Sequence, residues 1–173
     1  MSIKIIIKKS LNLKLVKNHV FFTDQNFRIN NLSKLSISKF SSFINKSVSS
    51  NNLVNKDIIS FNINPSQKII LIKLKNNLTS LKIEKLGARF YMFLKSNSYL
   101  KTTFDEQNIR SVVLKNEYFF DQFIQGLQLK SYEFNKYKSR SKEKKFDIEV
   151  INKNSSFKFN KNKKFKSLIE GTN

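Results

Sequence analysis

Glu117 to Arg140 reads EYFFDQFIQGLQLKSYEFNKYKSR, and this stretch decides how the rest of the 173-residue chain is placed. Phe119, Phe120, Phe123, Ile124 and Leu127 recur at i, i+1, i+4, i+5 and i+8, which puts five large apolar groups on one face of a helix. That face must be buried. Asn116 is the expected N-cap, with Glu117 and Asp121 near the positive end of the helix dipole. Gly126 leaves room for another backbone to approach closely. The helix is expected to end near Ser131. Beyond it Tyr132, Phe134 and Tyr137 form an aromatic cluster in a basic connector that closes with Lys138, Ser139 and Arg140. These residues read as structural, not catalytic.

Working outward, Leu81 to Lys95 gives a second helix whose stripe is Leu86, Phe90 and Leu94, reinforced by Ile83 and Phe93. Gly87-Ala88 is a small-residue pair inside it, read as close packing of helix on sheet. Ile69-Ile70-Leu71-Ile72 is a continuous apolar run, which suits a mid-sheet strand buried on both faces. Before it, Ile59, Phe61 and Ile63 alternate with Ser60 and Asn62, and Asn64-Pro65-Ser66 turns the chain. Asn31 to Val48 is serine-rich, yet Ile37, Phe40 and Ile44, with Phe43 beside them, specify an amphipathic helix. Ile3 to Lys9 reads as a strand. Leu11, Leu13 and Leu15, continuing through Val20, Phe21 and Phe22, read as a second strand or hairpin partner. Tyr99 to Phe104 is a further strand, and Ile109 to Leu114 a short extended piece. Downstream, Phe146, Ile148 and Val150 alternate with Asp147 and Glu149, and Phe157-Lys158-Phe159 follows a polar turn, together a hairpin signal. Strands and helices interleave, so the expected architecture is a layered α/β domain with a mixed, mainly parallel sheet flanked by helices.

Composition excludes much. With 17 Phe and 39% hydrophobic residues the chain can bury a core, while three Gly and one Pro leave no Walker-type phosphate loop. The absence of cysteine removes disulfides, zinc-finger ligands and thiol nucleophiles, and is compatible with a cytoplasmic location. No run of about 18 apolar residues appears, so neither a membrane span nor a membrane partner is expected. The net charge of +21 has two explanations. A basic surface attracts polyanions and supports nonspecific adhesion to nucleic acid at low salt. Against specific reading, Arg28, Arg89, Arg110 and Arg140 are the only arginines among 33 basic residues, and lysine lacks the bidentate fork used to read bases. The Lys, Asn, Ile and Phe bias also matches A/T-rich codons, and that reading of the charge leads.

Catalytic groups are scarce. His19 is the single histidine, so it cannot form a His-based metal cluster. Among 12 acidic residues only Asp105 and Glu106 are adjacent, and neighbours one apart do not share a helix face. No G-x-S-x-G elbow occurs. The sequence offers no catalytic residue and no metal ligand.

Gly126-Leu127-x-Leu129-x-x-Tyr132-x-Phe134-x-x-Tyr137-Lys138-Ser139 resembles the segment that closes the N-terminal domain of the leucyl aminopeptidase (cytosol aminopeptidase) family, where a G-(L/A)-x-L-x-x-Y-x-F-(D/N)-x-Y-K-(S/T) run is typical. The resemblance covers nearly the whole chain and implies a three-layer, macro-domain-like fold over residues 1–164. Residues 165–173, with Phe165, Leu168 and Ile169, would begin a linker helix toward a catalytic domain that this chain lacks. One departure is Ile72-Lys73-Leu74-Lys75, where the family has a Gly-Leu-Gly-like turn, so any backbone role of that turn is lost. In the family the catalytic domain holds two divalent metal ions, Zn or Mn, on Asp, Glu and Lys side chains, and its N-x-D-(A)-E-G-R segment is absent here. The implied role is therefore noncatalytic: packing against a catalytic domain of the same or a partner polypeptide, within a homo-oligomer that is hexameric in the family. Some bacterial members also bind DNA. Two alternatives stay open on the residues themselves: an unrelated α/β domain with a core helix and an aromatic-anchored loop, and a stand-alone basic module that binds nucleic acid.

Overall fold

The apolar run Ile69 to Ile72 is fully buried in the strand Gln67–Lys73. In the computed structural model, which describes residues 2–10, 12–35, 37–49, 56–113, 117–132 and 145–151, that strand is β4 of a six-stranded sheet. Its companions are β1 (Ser2–Lys8), β2 (Asn18–Thr23), β3 (Ile58–Asn64), β5 (Lys101–Asp105) and β6 (Lys145–Ile151). The spatial order is β1-β6-β5-β2-β4-β3. Every neighbouring pair is parallel except β3 with β4, which turn on Asn64-Pro65-Ser66 as an antiparallel pair. Helices cover both faces: α1 (Ser41–Ser49) on one side, and α2 (Ser80–Asn97) and α4 (Phe119–Ser131) on the other, with α3 (Glu106–Val113) following β5. The α/β expectation, mixed and mainly parallel with flanking helices, is therefore met.

Period-two alternation sorts the strands into two cores. Val20, Phe22, Ile70, Ile72, Phe104, Phe146, Ile148 and Val150 join the apolar faces of α2 and α4. Phe22 is the hub, edge-on to Phe119 at 5.0 Å and to Phe123 at 5.1 Å between ring centroids. On the opposite face Phe21, Ile69 and Leu71 pack with Phe27, Leu35, Ile37 and Ile44.

The two helices α2 and α4 meet through their glycines. A Cβ built on Gly126 would lie 2.6 Å from the Glu84 Cα, and one on Gly87 would lie 2.9 Å from the Leu127 amide nitrogen. Those approaches are impossible for real side chains, so each helix uses a missing Cβ to let the other's backbone in. The close approach expected at Gly126 is present. Gly87 differs from expectation, because its contact is with a helix and not with the sheet.

Other segments depart from the sequence reading. β2 pairs in parallel with β4 and β5, so it is no hairpin partner of β1, and Leu13–Leu15 is a 3-10 turn. β4, by contrast, is the interior strand expected, with β2 on one side and β3 on the other. The serine-rich stretch makes two 3-10 turns before a helix of nine residues. The expected extended piece at Ile109 is helix α3. There Asp105 Oδ1 accepts the Gln107 amide at 2.9 Å, and Arg110 reaches back one turn to Glu106. Capping and an i,i+4 ion pair outweigh the strand preference of its valines. Tyr118, not Asn116, stands at the cap of α4, since the Gln122 amide bonds the Tyr118 carbonyl at 3.0 Å. β6 lies between β1 and β5 and is parallel to both, so neither described neighbour is a hairpin partner. Phe157, Phe159, Asn116 and the linker-helix residues Phe165, Leu168 and Ile169 all lie outside the described residues.

Candidate functional site

β5 and β2 run side by side only at His19 with Thr103 and Val20 with Phe104. Beyond that point β5 ends and the strands part, a topological switch of the kind where open α/β sheets take ligands. Asn108 from α3 fills the fork. Its Nδ2 donates to the Phe22 carbonyl at 2.9 Å and its Oδ1 accepts the Phe22 amide at 2.7 Å, so one side-chain amide replaces a strand neighbour. Sequence reasoning missed Asn108, because only the fork gives it a role.

The carboxyl ends of β2 and β4 border a cleft of about 590 Å³, within the usual range for small-molecule sites. Its walls include Phe22, Asp24, Asn30, Asn77, Ser111 and Phe119. Asp24 is the one carboxylate among the lining residues, and it is committed to its own loop, accepting the amides of Asn26 at 2.8 Å and Arg28 at 2.9 Å. Thr23 Oγ1 is likewise engaged with the carbonyls of Asp24 at 3.1 Å and Ile72 at 3.2 Å. What remains is an amide-rich, hydrogen-bonding surface, with no second carboxylate and no histidine among its lining residues. Lys75, Asn76 and Leu78 line both this cleft and a smaller basic groove of about 280 Å³. In that groove Asp57 pairs with Lys75 and Arg89, and Lys82 and Lys85 complete the wall.

Titratable groups outside the clefts are tuned for structure. Burial lowers His19 to about 4, so it is neutral at physiological pH. Burial raises Asp121 in the first turn of α4 to about 6. Burial would also raise Glu149, but hydrogen bonds and charge from Lys8 and Lys101 outweigh it and hold the carboxyl below its ordinary value. Among the described residues no group of three or more His, Cys, Asp or Glu is placed to hold a metal ion.

The motif on α4 divides. Gly126 and Leu127 are buried, facing α2 and the core, while Leu129 and Tyr132 are 49% and 54% exposed on the outer side. Phe134, Tyr137 and Lys138 lie outside the described residues. No helix among the described residues is long and apolar enough to cross a membrane.

No family model matches the sequence, and no curated protein matches it. Solved structures do. A mutant of tomato leucine aminopeptidase superposes with a TM-score of 0.57 and 16% identity over 88% of this chain. The match takes in 33% of the tomato chain, so the present chain spans about a third of that protein. The macrodomain of Thermus aquaticus DarG matches with a TM-score of 0.50 and 8% identity, over 87% of this chain and 97% of that one. At these identities the likeness is one of fold: a three-layer α/β domain of macrodomain type.

Proposed function

We propose that this chain is the noncatalytic N-terminal α/β domain of a leucyl aminopeptidase-like protein, whose parent activity removes N-terminal residues from peptides with divalent metal ions. Its role is to pack against a catalytic domain, of its own or a partner polypeptide, and to support assembly in the cytoplasm. The observation that carries this reading is the superposition of nearly the whole chain on one third of an aminopeptidase. The α4 run from Gly126 to Tyr132 agrees with it. Gly126 supplies the helix crossing, whereas Leu129 and Tyr132 leave an apolar and an aromatic group outside for a neighbour. A leucine-anilide assay with added Mn²⁺ or Zn²⁺ tests it. The 173-residue chain is expected to be inactive alone, and any product of a longer reading frame active. Hydrolysis by the chain alone would sink the proposal.

A second reading, a stand-alone basic module on the nucleic-acid backbone, is favoured by the groove of Lys75, Lys82, Lys85 and Arg89, where Asp57 is the sole acid among the lining residues. It requires an affinity that falls steeply with salt and drops further on Lys82→Glu with Lys85→Glu. Unchanged binding in that double variant would remove it.

A further inference from the structure

β3 is an outer strand, IISFNIN, and contains no charged residue in a chain with 33 Lys and Arg. β1, at the opposite end of the sheet, carries Lys4 and Lys8. Lysine is the common device that keeps an open edge from pairing with other chains, and β3 lacks it. Among the described residues its outer edge has no strand partner. Its irregularity against β4 falls between Asn62 and Asn64, next to the turn, and leaves Ile58 to Asn62 regular. Ile59 is buried, while Phe61 and Ile63 are half-buried at the rim of the α1-side core, where Phe61 meets the exposed Phe43 ring at 6.0 Å between centroids.

We propose that β3 pairs antiparallel with β3 of a second copy of this chain, about a two-fold axis through Phe61, so that two sheets become one. In this register Phe61 faces Phe61, Ile59 faces Ile63, Ser60 faces Asn62 and Ile58 faces Asn64. Beyond the strand Lys56 meets Ser66 and Asp57 meets Pro65. Apolar groups lie opposite apolar groups on the α1 side, and no lysine opposes another. Charge selects the occupant. Copies at +21 repel wherever their lysines meet, so an encounter between copies needs a cation-free surface. An acidic partner would be drawn to the lysines, and β3 offers none.

The chain has no cysteine, so an introduced thiol is a unique reporter. Directly opposed Cβ atoms lie about 4.5–5.5 Å apart, close to what a disulfide needs. Under mild oxidation Phe61→Cys should cross-link to itself. Ser60→Cys and Asn62→Cys, which leave the core contacts alone, should each stay single and cross-link when mixed. Sedimentation of the unaltered chain should show a dimer that grows with concentration and with salt, because added ions screen the repulsion. Association bridged by nucleic acid would instead weaken with salt. A chain that stays monomeric at every salt concentration, or Ser60→Cys linking to itself as readily as to Asn62→Cys, overturns the proposal.

Discussion

The two faces of the sheet are held by different forces. Toward α2 and α4 the strands contribute Phe22, Phe104, Phe146 and their aliphatic neighbours to one continuous core, closed by helices that meet at glycine. The other face is divided. Over β2, β4 and β3 it is apolar beneath residues 24–49. Over β1, β6 and β5 it is polar: Glu149, 2% exposed, is bridged by Lys8 and by Lys101 at 3.1 Å. His19 lies on the seam, stacked on Phe21 on one side and in register with Thr103 on the other. Shape holds the first face and charge balance holds half of the second, so they should answer differently to packing changes and to pH.

The largest effect is expected where the sheet itself would open. Asn108→Ala orphans the buried Phe22 amide and carbonyl, and at about 2 kcal/mol for each lost partner it should cost about 4 kcal/mol in urea unfolding. Next comes the pH response of the divided face. His19 is neutral in the fold down to about 4 but titrates near 6.5 once unfolded. Its contribution is thus complete above pH 6.5 and is lost as pH falls toward 4, on the order of 3 kcal/mol in all. His19→Gln should flatten that part of the stability–pH curve, and an unaltered slope would remove the histidine as its cause.

Gly126→Ala probes the helix face. Helix propensity alone would favour alanine by about 1 kcal/mol, but a Cβ against the Glu84 backbone forces the helices apart at about 3 kcal/mol. The net loss of about 2 kcal/mol should be the same at pH 5 and pH 8, unlike the His19 effect. The smallest change is a gain. Thr102 keeps a buried hydroxyl without a hydrogen-bond partner among the described residues, so Thr102→Val should stabilise by about 1 kcal/mol, read as a rise in thermal midpoint.

What the sequence disclosed follows the same division. α2, α4 and β4 are legible because apolar spacing alone dictates them, and Gly126 announces a close approach. α3 is not, since its helix depends on Asp105, Arg110 and the tie from Asn108 to a strand far away in sequence. The pairing of β2 with β4 and β5, and of β6 with β1, is invisible to local patterns, because alternation says which face a residue takes and nothing about its neighbour. The amide-rich cleft is hidden for the same reason: its walls come together only when β2 and β5 part.

The position of β6 bears on how the chain can be made. Among the described residues β1 pairs with β6 alone, from Ser2 with Lys145 to Lys8 with Ile151. During translation β1 must therefore wait until Lys145–Ile151 has emerged. Until then both it and the outer edge of β5 stay open to other chains. Any message cut short before Lys145 would yield a product with two unsatisfied edges and no means of closing them. Emergence of β6 is thus the step that closes the sheet.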